Sequence, residues 1–399
     1  MNEQIKQRIT QLNNGEVPTG YKKTDLGIFP CEWIEYSIGE VSIDKGKYGI
    51  NAPACEYKEG LPRYLRITDI DDDGCYIDNS AYVDHANSNE YVLNENDLVF
   101  ARTGASVGKS YLYKKQDGLL VYAGFLIKFS IDPNKCNAYI VKKNCVSTKF
   151  EEWVQIMSAR SGQPGINAEE YAEYRFVAPK SSIEQSRIAE ILMKWDEAIQ
   201  LKEQYIEKLK ERKKSILDFL LTPQNHWKPV KVKDIFKITR GQVLPTNQCS
   251  DSGKYPVYSS QTADNGLMGY YDEYLFENCI TWTTDGANAG DVNFRKGKFY
   301  CTNVCGVLIS DQGYANLCVA HIIGKVAKNY VSYIGNPKLM NNTMGIITIK
   351  LPSMNEQENI SSIIEDLNCE IQLQNEEKSC LIAQRKTLQQ YLLNGIVRV

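Results

Sequence analysis

Histidine is scarce. Three residues (His85, His226 and His321) are scattered along 399, and the 12 cysteines contain no C-x-x-C pair. Both absences argue against structural zinc, which needs four ligands drawn from tight local pairs. The closest cysteines, Cys301 and Cys305, lie in the strand-like CTNVCGVLIS, where core thiols are the expected role. Irregular cysteine spacing in a chain long enough to bury its own core predicts reduced thiols and a cytoplasmic setting. Long apolar runs are missing too. The longest, Leu119 to Ile127, has nine residues, against the roughly 18 of a membrane span, so no membrane association is expected. Glu3, Lys6 and Arg8 interrupt the N-terminus, and no signal peptide is expected.

A dominant charge is lacking as well. The net charge is −3, with −6 carried by residues 24–180 and +4 by residues 227–352. A nucleic-acid partner would not be held by global electrostatics alone. Catalytic signatures are absent: there is no G-x-G-x-x-G after a strand, H-E-x-x-H, G-x-S-x-G, methyltransferase (D/N)-P-P-(Y/F) or helicase set. The fragment GASVGKS, Gly104 to Ser110, approaches a P-loop, but Thr103 stands where the first glycine is required. It reads as a glycine-rich turn whose Arg102 and Lys109 remain able to touch a phosphate backbone. Asp71, Asp72 and Asp73 read as a solvated turn. What remains is ordinary globular composition, 43% hydrophobic and 24% charged, of a length for two or three domains.

The chain is written twice. GQPGINAEEYAEYRFVAP, Gly162 to Pro179, aligns without gaps to GNPKLMNNTMGIITIKLP, Gly335 to Pro352. After one residue of slip, Glu184-Gln185 matches Glu356-Gln357, and a constant offset of 172 pairs Ile188 with Ile360, Leu201 with Leu373 and Leu221 with Leu393. Weaker matches join Trp33 to Trp227 and ARTGASVG, Ala101 to Gly108, to TTDGANAG, Thr283 to Gly290. A shared frame with divergent content is the signature of an internal repeat.

Each copy ends in a predicted long helix. Ser181 with Glu184, and Ser353 with Glu356, form capping-box patterns after a proline. The helices then run without glycine or proline to Thr222 and Asn394, rods of about 58 Å at about 1.5 Å per residue. Spacings of three and four give one seam, Trp195, Ile199, Lys202, Ile206, Leu209, Lys213, Ile216 and Leu220. Its counterpart is Leu367, Ile371, Gln374, Lys378, Leu381, Arg385, Leu388 and Leu392. That spacing predicts helix pairing in a coiled coil, with two core helices of ordinary domains as the alternative. LNNGEV, Leu12 to Val17, echoes LLNGIV, Leu392 to Val397, so residues 1–23 are expected to pack near the helix ends.

This layout resembles the DNA-specificity subunit of type I restriction-modification systems, across nearly the whole chain. The resemblance rests on GQPGINAEEYAEYRFVAPKSSIEQSRIAEIL, its weaker copy GNPKLMNNTMGIITIKLPSMNEQENISSII, and the segments YLRITDI (Tyr64 to Ile70) and YPVYSSQTADNG (Tyr255 to Gly266). It implies an α/β (α+β) fold in which two similar target-recognition domains, 24–180 and 224–352, are separated by two spacer helices, 181–223 and 353–399. These would form an antiparallel coiled coil with pseudo-two-fold symmetry. It further implies a non-catalytic chain that reads a bipartite asymmetric site in double-stranded DNA. The implied partners are two methyltransferase subunits, which hold S-adenosylmethionine, and motor-nuclease subunits in the full complex; no cofactor is expected on this chain.

Base readout favours Arg or Lys on guanine and Asn or Gln on adenine. The candidates are Arg102, Ser106, Lys109, Gln163 and Asn167 in the first half, and Gln261, Asn265, Asn288, Arg295, Asn336 and Lys338 in the second. Each is equally readable as an exposed loop residue. Competing functions are the specificity subunit of a related two-subunit restriction enzyme, a coiled-coil protein adaptor, and a nucleotide-dependent enzyme using the GASVGKS turn.

Overall fold

The computed structural model describes residues 3–159, 162–261 and 263–399. Met1 and Asn2 of the N-terminal segment and Thr262 of the Tyr255 to Gly266 stretch lie outside them. The described residues form two compact units, 1–201 with 379–399, and 202–378. Two long helices, Ser182–Leu220 and Met354–Leu393, each contribute to both units.

In the first unit, the largely buried apolar runs of Asp97–Ala101 and Leu126–Ser130 form the centre of a four-stranded antiparallel sheet. Its order is Lys47–Tyr48, Leu126–Ser130, Asp97–Ala101 and Ser110–Leu112. Arg63–Leu65 and Leu120–Tyr122 add a parallel pair. Asn137 and Ser147 cap the helices Ala138–Asn144 and Thr148–Met157 by accepting backbone N–H groups. Phe100, Phe129, Phe150, Tyr171 and Tyr174 fill the core, sealed by Ile188 and Leu192 from one long helix and Leu392 and Leu393 from the other.

The second unit carries a six-stranded sheet in the order Lys237–Arg240, Cys305–Ile309, Phe276–Thr283, Val292–Cys301, Tyr255–Tyr258 and Leu267–Tyr271. All neighbours are antiparallel except Tyr255–Tyr258 beside Val292–Cys301. The helix Leu317–Ala327, capped by Asn316, covers it. Trp282, Leu308, Ile323 and Met344 form the core, sealed by Ile360, Ile364 and Leu221.

The segments that open and close each domain pair with each other. Trp33–Ser37 runs antiparallel to Arg175–Pro179 with Trp33 opposite Pro179, and Lys228–Lys231 runs antiparallel to Thr348–Leu351 with Lys228 opposite Leu351. Gln185 and Gln357 then make matching bonds. Their amides donate to Pro179 O at 2.8 Å and to Pro352 O at 3.0 Å, and their carbonyls accept from Asn137 N at 2.7 Å and Asn316 Nδ2 at 3.0 Å. Both glutamines are buried, so each one's two partners satisfy it.

The helix starts depart from a full capping box. Ser181 and Ser353 do accept the N–H of Glu184 and Glu356, each at 3.4 Å. The glutamate carboxylates go elsewhere: Glu184 accepts two bonds from Arg398, and Glu356 takes Trp227 Nε1 and His226. Charge-assisted bonds to a guanidinium are stronger than a bond to a backbone N–H, which accounts for the choice at Glu184. The N-terminal helix Glu3–Asn13 is joined to the C-terminus by Arg8 donating to Ile396 O and Tyr21 to Gly395 O.

Every seam position of both long helices is buried or half-buried, among them Trp195, Ile199, Ile206, Leu209, Ile216, Leu220, Leu367, Ile371, Leu381, Leu388 and Leu392. Most other positions along the middle of each helix are exposed. Within the second unit Lys202 Nζ donates to Gln374 and Glu377, both at 2.7 Å, Lys213 to Asn368 at 2.5 Å, and Lys378 to Glu203 at 2.8 Å. Higher numbers on one helix meet lower numbers on the other. In the first unit Arg385 approaches Asp196 at 3.6 Å and Asp73 at 3.2 Å.

Candidate nucleic-acid interface

Each domain folds its glycine-rich turn against the loop that begins the repeated segment, and the backbone bonds coincide. In the first half Gly104 N donates to Pro164 O at 3.0 Å and Ile166 N to Arg102 O at 2.9 Å. In the second Gly286 N donates to Pro337 O and Leu339 N to Thr284 O, both at 2.9 Å. The turns close alike, Gly108 N on Ala101 O and Gly290 N on Thr283 O. Gly108 and Gly290 have φ of +90° and +87°. A Cβ there would lie 2.7 Å from Val154 and 2.9 Å from Val331, so both conformation and space call for glycine.

The side chains on this common frame differ. Lys109 and Asp291 occupy the same position, and Lys109 Nζ meets Asp72 at 2.7 Å while Asp291 meets Lys328 at 2.8 Å. Lys109 Nζ also lies 3.3 Å from Ile70 O. The GASVGKS lysine is thus engaged by its own domain, and Gly104–Ser106 forms a single 3-10 turn.

Arg102 is half-buried, its guanidinium 5.0 Å from the centre of the Tyr48 ring. Its Nε is buried and has no protein partner among the described residues. Arg102 N donates to Phe125 O, and Tyr48 and Phe125 are both exposed. Gln163 is exposed beside Gly104, and Ser106 is half-buried in the turn. Asn167 caps the helix Ala168–Ala172, its Oδ1 accepting Glu170 N at 2.9 Å.

In the second half Arg295 is buried in the strand Val292–Cys301. Its Nε donates to Thr281 Oγ1 at 3.1 Å, its Nη2 to Asn265 O at 2.6 Å, and it stacks 3.8 Å from the Tyr258 ring centre. Burial pulls its pKa down. Asn288 Nδ2 donates to Ser260 O at 2.9 Å, and Gln261 to Leu267 O. Arg295, Asn265 and Gln261, with Ser259, Asn293 and Lys328, line a polar pocket of about 330 Å³. Asn336 and Lys338 are exposed on the neighbouring loop, Lys338 3.9 Å from Asp285.

The candidates therefore divide into exposed groups (Gln163, Gln261, Asn265, Asn336, Lys338), the partly shielded Arg102 and Ser106, and groups engaged within their own domain (Lys109, Asn167, Asn288, Arg295). The sequence reading missed Tyr48, Phe125 and Tyr258. Tyr48 was signalled by the basic and aromatic run Lys45 to Tyr48; Phe125 had no signal, because its apolar segment reads as core. The Asp71 to Asp73 run disperses: Asp71 accepts Cys75 N, Asp72 meets Lys109 and Asp73 meets Arg385.

A family model for the type I restriction modification DNA specificity domain matches residues 30–211 and again 224–381. The chain belongs to that family. It is a DNA-specificity subunit rather than a catalytic one. A putative type I specificity subunit N-terminus of Mycoplasma pneumoniae is 39% identical over 143 residues, 35% of this chain and 76% of that one. The putative MjaX specificity subunit of Methanocaldococcus jannaschii is 23% identical over 95% of this chain and 97% of its own. Among solved structures, the S subunit from M. genitalium matches with a TM-score of 0.61 at 16% identity, covering 90% of this chain and 96% of that chain. The fold is thus that of type I specificity subunits. Among the described residues no helix is long and apolar enough to cross a membrane.

Proposed function

We propose that each globular domain of this specificity subunit reads one half of a split, asymmetric site in double-stranded DNA. In this reading the two long helices form an antiparallel coiled coil, related by pseudo-two-fold symmetry, that sets the gap between the half-sites. The observation that carries it is the loop pair built twice with the same backbone bonds and different side chains. Identical frames place the readers equivalently, and different side chains select different bases. Arg102, Ser106 and Gln163 serve one half-site, with Lys109 held by Asp72 at the turn and Asn167 capping the helix that follows. Gln261, Asn265, Asn336 and Lys338 serve the other, held by Asn288 and Arg295.

The proposed domain limits are 24–180 and 224–352, with 181–223 and 353–399 as spacers and 1–23 closing against the helix ends. Two methyltransferase subunits carrying S-adenosylmethionine dock around the spacers, and motor-nuclease subunits join for cleavage. Partner subunits that clamp the duplex would supply phosphate contacts that an acidic first domain cannot.

Co-expression with the methyltransferase encoded beside the gene, in a host free of background methylation, followed by genome-wide mapping of modified bases, tests this. A split motif with a fixed gap, absent without this chain, is expected. A soluble co-purifying complex that modifies no motif would contradict it.

A further inference from the structure

The loop at Ser332 to Lys338 carries the most exposed large apolar side chain among the described residues. Ile334 is 94% exposed and Tyr333 beside it 71%. Folding does not need them there, because side chains this bare contribute almost no apolar burial. The loop is nevertheless stiffly built. Ser332 and Lys338 exchange two backbone bonds of 2.9 and 3.0 Å, Pro337 O is tied to Gly286 N, and the flanking Val331 and Leu339 are buried. Gly335, at φ +76°, makes the turn. A rigid apolar tip thus stands on the same loop pair that carries Asn336 and Lys338.

Its surroundings favour a nucleic acid over a protein. Lys328 precedes the loop, its carbonyl accepting Val331 N, and Lys338 closes it; their ammonium groups lie 2.8 Å from Asp291 and 3.9 Å from Asp285, and Asn336 follows the tip. Two side chains are far too small for a stable protein interface, which buries about 800 Å² per partner. A wedge between stacked base pairs needs only one or two apolar groups, and isoleucine is among those so used. Carried two residues upstream of the gap-free repeat, the same offset sets Arg160 and Ser161 of the sequence against Tyr333 and Ile334, so the aligned pair in the first half is polar.

We infer that Tyr333 and Ile334 form a wedge that partly unstacks one base step in the half-site read by the second domain. The inference rests on the DNA-specificity reading above. It predicts that bound DNA is deformed on one side of the gap only.

The test uses the full chain with its methyltransferase partner on a duplex bearing the mapped site, with 2-aminopurine placed in turn across the second domain's half-site. A several-fold fluorescence rise at one step is expected, separate from any signal at the base that the methyltransferase extrudes. Tyr333→Ser with Ile334→Ser should abolish the rise while leaving the extruded-base signal, and Ile334→Leu should keep both. A specific complex with no such step, or a rise that survives in the double serine variant, overturns the wedge alone. Loss of affinity in that variant that disappears when thymine is replaced by uracil also overturns it, in favour of a methyl contact. No sequence-specific complex with the unaltered chain would instead overturn the DNA reading beneath it.

Discussion

The two domains solve one backbone problem with opposite chemistry. At the end of the glycine-rich turn the first places Lys109 against Asp72 and the second Asp291 against Lys328. Five residues after the capping asparagine the first buries Lys142 and the second half-buries His321. The frame beneath does not vary: Gly49 and Gly241 press on backbone carbonyls, and Gln185 and Gln357 bind matching prolines. Positions that hold the frame repeat, and positions facing outward from it diverge. Duplication followed by change in what is read would leave this pattern.

The largest effects should come from the frame, and equally in both halves. A Cβ on Gly49 would fall 2.2 Å from Ala123 O, and one on Gly241 2.1 Å from Cys301 O. Each alanine variant should cost about 3 kcal/mol by overpacking, read as a lowered Tm. A harmless alanine at either site would break the equivalence. Gln185→Ala and Gln357→Ala should each cost about 1–3 kcal/mol in denaturant unfolding, because buried partners are left unsatisfied.

A pH comparison separates the halves. Lys142 donates to Ser110 O and Oγ, and burial, assisted by Lys143, lowers its pKa from 10.5 to about 7. Between those values the unfolded chain binds more protons, so this group makes stability rise from pH 7 toward 10.5. Lys142→Met should flatten that rise relative to the unaltered chain. His321 is depressed below 6.5 by burial, with Lys213 and Lys325 adding to it, so it should cost stability only as the pH falls below the usual imidazole range.

Readout should be asymmetric instead. Arg102→Ala should relax one half-site and Asn336→Ala the other, each by about 1–3 kcal/mol of discrimination, scored from modified motifs. The smallest effect belongs to the seam. Lys202→Met removes bonds to Gln374 and Glu377 but leaves an apolar stem, and should shift stability by less than about 1 kcal/mol.

Much of this was legible in the chain because periodicity and repetition are local signals. The 3-and-4 spacing marked the shielded stripe of both long helices, and the gap-free copy marked the loops against which the turns close. The correspondence of Gly49 with Gly241 was hidden. Each is defined by the carbonyl it touches on a strand more than 50 residues away, and their neighbours share no residues. The roles of Asn167, Asn288 and Arg295 were likewise out of reach. Sequence reports that a side chain can bind a base, but only packing reveals that it is already holding its own loop.

Modular reading on a common frame requires that each domain can be exchanged by itself. Replacing residues 24–180 with the corresponding domain of another specificity subunit, and mapping modified bases with the same methyltransferase, tests it most directly. The expected motif has one half changed, the other half intact and the gap unaltered. A motif changed in both halves would contradict it.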